Sequence, residues 1–196
     1  MSINLLETVQ QNLGYASLHK IDPNDQDISW DKTPMENRIA QAGLPAVLTA
    51  LYLFVQSDDG AGKLLKEEAA GNWVDSIFVD NTRPAIQIIA DYSGVSQEEA
   101  IKRLNVIAEE SVRVTKTQLP PTAGIKDVKS FFTNQKNNIL LYLPVALHMG
   151  ELLHDNSLDD NVNKMEGPIS SLMKSIGAAF TNPVTEKEVR LPEDKY

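Results

Sequence analysis

Leu44-Pro45-Ala46-Val47-Leu48-Thr49-Ala50-Leu51-Tyr52-Leu53-Phe54-Val55 is the longest apolar run in the chain, and its opening phrase returns as Leu143-Pro144-Val145-Ala146-Leu147. Proline lacks an amide hydrogen and fixes φ, so it suits the first turn of a helix and disrupts an interior. Each phrase therefore reads as the start, or the kink, of a buried helix. At a constant offset Leu48, Leu53 and Phe54 meet Leu147, Leu152 and Leu153, and Ser57-Asp58 meets Asn156-Ser157. Two matched segments fall short of a periodic array, so duplication into halves 1–118 and 124–181 stands beside chance likeness of two apolar helices.

Helix punctuation surrounds both phrases. Thr33-Pro34-Met35-Glu36 offers a hydroxyl cap, a proline at the first helical position and a carboxylate at the third, predicting a helix from Pro34. Ser96-Gln97-Glu98-Glu99 repeats the capping box ahead of Ala100, Ile101, Leu104, Ile107, Ala108 and Val112, a stripe at helical spacing. That helix should run to about Thr117, because Pro120 and Pro121 forbid continuation. Asn81 and Thr82 before Pro84 open another through Ile86, Ile89 and Ala90, with Gly94 as its left-handed terminator. Gly167-Pro168 opens the last, with Ile169, Leu172, Met173, Ile176 and Phe180 on one face. At the N-terminus Leu5, Leu6, Val9 and Leu13 share a helical face with no basic segment before them, so this end reads as fold and not as a signal peptide. No Asn-Gly or Asp-Gly turn is flanked by alternating residues. The expected fold is all-α, a multi-helix bundle in one domain over 1–181, irregular over residues 19–31 and 118–124, with a charged, loosely ordered tail at 182–196.

Composition narrows the partners. The 196 residues are 42% hydrophobic, enough for a real core, and carry a net charge of -9. Nucleic-acid backbones and anionic membrane surfaces attract basic patches, so neither is expected as a partner. Cysteine is absent, which removes disulfides, thiolate metal sites and cysteine nucleophiles. The run from Leu44 to Val55 is far shorter than the roughly 20 residues of a spanning helix, and a cytoplasmic location is the default expectation.

Ala40-Gln41-Ala42-Gly43-Leu44-Pro45-Ala46-Val47-Leu48, then Gly60-Ala61-Gly62-Lys63-Leu64-Leu65 and Asp75-Ser76-Ile77, resemble the bacterial domain of unknown function 937. Members of that family open with a short apolar helix like residues 1–14, continue into an "AGLPALL" helix and a Gly-Ala-rich helix, and carry an "SGLS" turn similar to Ser93-Gly94-Val95-Ser96. Asn134-Gln135-Lys136-Asn137-Asn138-Ile139 with Leu143-Pro144 is similar to a later "SQKDNI…LP" segment of longer members. The chain departs from the pattern in having fewer glycines after Leu65 and an acidic loop after His154. The resemblance reaches to about Leu153 and implies a helical bundle with no assigned activity.

The acidic loop is the leading chemical candidate. Counting Asp155 as first, oxygen side chains fall at positions 1, 3, 5, 9 and 12, the spacing of an EF-hand calcium loop, and Asp155, Ser157, Asp159 and Glu166 would be the metal ligands. Asp160 stands where the sharp turn demands glycine, and a solvated acidic connector is the plainer reading. His148, Glu151 and His154 lie three apart on one expected helix, and Glu151-x-x-His154 fits a di-iron element, but no second such pair exists. Asp59-Gly60-Ala61-Gly62-Lys63 lacks the first glycine and the Ser/Thr of a phosphate loop. Trp73, Tyr52 and Phe54 read as core or interface anchors and Trp30, in a polar stretch, as a contact residue. No catalytic residue and no cofactor are assigned. The expected function is a non-enzymatic interaction or structural module, self-associating as a homo-oligomer through apolar faces, with weak calcium binding as the alternative.

Overall fold

A computed structural model of the chain describes residues 3–21, 34–69 and 71–155, and it is an all-α multi-helix bundle with no strand among the described residues. The α-helices are α1 (Leu5–Asn12), α2 (Met35–Phe54), α3 (Asp58–Lys66), α4 (Trp73–Phe78), α5 (Thr82–Ser93), α6 (Gln97–Gln118), α7 (Ile125–Leu140) and α8 (Met149–Leu152). Single 3-10 turns precede α5 (Val79–Asn81) and α8 (Val145–Leu147).

The centre of the bundle is α2. Every residue from Ile39 to Leu51 is buried, and thirteen consecutive buried positions cover the whole helix circumference rather than one stripe. Its neighbours are α6, α5 and α7, with α4 and α1 closing the remaining sides. Gly43 sets the closeness of α6: a Cβ there would lie 3.0 Å from Leu104 Cδ2 and 3.3 Å from Ile107 Cδ1.

The first Leu-Pro phrase lies inside this helix. Pro45 neither starts α2 nor ends it; it removes the amide that would bond the Gln41 carbonyl, a loss that packing on every side outweighs. The second phrase behaves differently. Pro144 is extended (φ −63, ψ 129) and leads into the 3-10 turn Val145–Leu147, so no α-helix grows from it. What the two phrases share is burial, since Leu48 and Leu147 are both fully buried.

Most of the expected punctuation is present. The Ser96 hydroxyl accepts the Glu99 amide at 3.2 Å, and α6 runs to Gln118, one residue past its expected end. Ile101, assigned to the buried stripe, sits at its edge and is exposed. Gly94 terminates α5 in the left-handed region at φ 69. Pro34 is the residue before α2, with ψ 145, and the helix begins at Met35; Thr33 lies outside the described residues. Ser57 caps α3 by accepting the Gly60 amide at 2.9 Å, so the Gly60–Lys63 stretch is helix rather than a phosphate loop. The axes of α2 and α3 turn by 115° across the corner between them. Gly60 permits that corner, because a Cβ on it would collide with the Phe54 carbonyl oxygen. Among the described residues, no single helix is long and apolar enough to cross a membrane.

Candidate functional site

The corner around α8 holds the residues singled out for metal chemistry. α8 has only one turn, and His148 and His154 flank it in left-handed conformations at φ 45 and 56, so the two histidines do not share a helix face with Glu151. His148 and Glu151 line an open groove of about 310 Å³ together with Ile88 and Leu152, and both are exposed. Among the described residues, no three His, Asp or Glu side chains are placed to hold a metal ion. Of the four expected calcium ligands only Asp155 is described, its amide bonded to the Gly150 carbonyl at 2.8 Å. Ser157, Asp159 and Glu166, the helix expected after Gly167-Pro168 and the contact residue Trp30 lie outside the described residues.

The aromatic anchors are placed as expected of core and rim. Trp73 is buried and meets Phe54 edge-on at 6.4 Å between ring centres. The Lys136 ammonium lies 5.4 Å from the centre of the Tyr52 ring, within cation–π range.

Two glutamines absent from the sequence-level candidates organise a second region. Gln41, buried in α2, accepts the His19 amide at 2.7 Å and donates to the His19 and Tyr142 carbonyls at 3.0 and 3.1 Å. Gln135, buried in α7, accepts the Leu5 amide and donates to the Ile3 carbonyl, both at 2.9 Å. The available signal was a lone amide inside an apolar pattern, Gln41 within Ile39–Leu51 and Gln135 between Phe132 and Ile139. Between these clamps Asn12 donates to Glu110 at 2.7 Å, and the Tyr15 phenol meets the Arg103 guanidinium. Burial raises the Tyr15 phenol above its usual value, with Arg103 opposing it.

The loop after α4 carries the most unusual backbone. Val79 takes φ 49 and ψ −120, a conformation natural to glycine and costly for a β-branched residue, and its side chain is 64% exposed. No family model, curated protein or solved structure matches the chain.

Proposed function

We propose that the chain is a non-enzymatic helical interaction module of the bacterial cytoplasm, related to the domain of unknown function 937 on the segments quoted above, and that one of its partners is a second copy of itself. The observation that carries this reading is Val79. A strained backbone costs on the order of 1–3 kcal/mol and is retained where the surroundings or the function require it. Here the strained residue presents an apolar side chain to solvent instead of burying it, so packing within the chain does not return the cost. A contact on the outside would.

The test is sedimentation of the full chain from micromolar to millimolar concentration at physiological salt, where charge repulsion is screened beyond about 8 Å. Self-association is expected, weakened at least ten-fold by Val79→Gly, while relief of strain raises the melting temperature by about 2–4 °C. A wild-type chain that stays monomeric throughout removes the reading. The calcium alternative rests on the oxygen spacing of residues 155–166 and is tested separately. It requires a melting temperature raised by millimolar calcium and restored to the calcium-free value by Glu166→Ala.

A further inference from the structure

We infer that the N-terminal arm, residues 3–21, is an exchangeable strap that undocks from α2, α6 and α7 as a unit and is replaced by the arm of a second copy. The first ground is where the interior spends its polar groups. Seven polar side chains are buried among the described residues: Gln41, Thr49, Ser76, Ser93, Ser111, Thr115 and Gln135. Ser76, Ser93, Ser111 and Thr115 each donate to the carbonyl four residues earlier in the chain, and the Thr49 hydroxyl has no partner. Gln41 and Gln135 bond across to segments more than twenty residues away in the chain, and both take hold of the arm's main chain, Gln41 bonding the Tyr142 carbonyl as well.

The second ground is the manner of that hold. Each glutamine engages an amide and a carbonyl of the arm together, as a neighbouring strand would, one at the start of the arm and one near its end. Ile21 adds a main-chain bond to the Leu141 carbonyl at 2.9 Å. Contacts made to the backbone leave side-chain identity to Leu5, Leu6 and Val9, which are wholly buried. Every other buried apolar residue lies at Ile39 or later, so undocking uncovers Leu5, Leu6 and Val9, the partly buried Ile3, Leu13, Tyr15 and Leu18, and the faces of α2, α6 and α7 beneath them, while the contacts of those three helices with one another remain. The vacated glutamine amides turn to water, which makes this groove wettable at both ends in the way of an interface rather than a core.

The third ground is fit. A groove shaped on this arm receives the identical arm of another copy with every contact preserved, the low-cost route to a swapped dimer. Residues 22–33, between the arm and α2, span at most about 40 Å when extended, a length that reaches an adjoining copy. The inference rests on the self-association reading only in taking a second copy as partner.

The natural chain has no cysteine, so Asn12→Cys with Glu110→Cys, at side chains now 2.7 Å apart across arm and body, gives a clean pair for a short bismaleimide. Incubation of the full-length double variant is expected to give intrachain links at low micromolar concentration and a growing share of interchain links toward millimolar. Adding Gln135→Leu is expected to speed the interchain product about ten-fold with little change in its final share, because the same clamp is lost in the closed and exchanged forms. In the unmodified chain, hydrogen exchange at arm amides is expected to run at least ten-fold faster than in α2 and α6. Intrachain links alone at every concentration overturn the proposal, as do arm amides that exchange at the rate of α2. A dimer by sedimentation without interchain links removes the strap and leaves the module standing; interchain links in a chain whose mass ignores Val79→Gly support the strap and remove the Val79 reading.

Discussion

Two glycines two residues apart in α3 have opposite roles, and only the three-dimensional arrangement distinguishes them. Gly60 lies against the Phe54 carbonyl, where a methyl group has no room; Gly62 has nothing within 4 Å of the Cβ it lacks. Gly60→Ala must therefore open the corner between α2 and α3 and is expected to cost about 2–3 kcal/mol, in the range of an overpacked core. Gly62→Ala removes backbone freedom from the unfolded chain and is expected to stabilise by roughly 0.5–1 kcal/mol. Urea unfolding midpoints of the two variants, moving in opposite directions, check the pair. In the sequence both are small residues in one Gly-Ala phrase, because a steric limit set by a carbonyl six residues away leaves no mark on composition.

At the scale of elements, charged and polar ties join helices that also pack on one another, α3 with α7 and α1 with α6. Lys129 on α7 reaches Asp58 at the start of α3 at 2.6 Å, and its hydrogen bond, with its charge, holds the Asp58 carboxyl below the usual range. Glu110 on α6 is lowered in the same sense, first by the Arg113 guanidinium and further by Asn12 of α1. A carboxyl lowered in the folded state supports folding while ionised, so both contributions are complete at neutral pH and fade as pH falls through and below about 4. The denaturation midpoint is expected to fall between pH 5 and pH 3, and to fall less steeply in Asp58→Asn or Glu110→Gln; equal slopes in all three proteins would count against these ties. Helix ends governed by a nearby residue, such as Ser96 and Gly94, were legible because a cap and its helix are neighbours in the chain. The ties from α3 to α7 and from α1 to α6 were not, since charges on opposite sides of the sequence carry no spacing rule. Pro144 shows the same limit in reverse: a local rule allows a helix after proline, and the chain there forms one 3-10 turn and then the left-handed His148 instead.

Across the whole molecule the all-α class was legible because caps and apolar periodicity agreed segment by segment, whereas the order of packing was not. Nothing local says that α2 is enclosed by α6, α5 and α7 with α4 and α1 on its remaining sides; the continuous apolar character of Ile39–Leu51 was the one available hint. Leu48 sits fully buried in that enclosed helix, and Leu48→Ala is expected to cost roughly 2–5 kcal/mol by chemical denaturation. An enclosed central helix also has a history during synthesis. α2 is complete at residue 54 and α7 at residue 140, so at about 5–20 residues per second its last major neighbour arrives roughly 4–17 s later. Over that interval the most apolar segment of the nascent chain has only part of its eventual covering, and its escape from aggregation depends on a chaperone or on provisional cover from α4, α5 and α6 as they emerge.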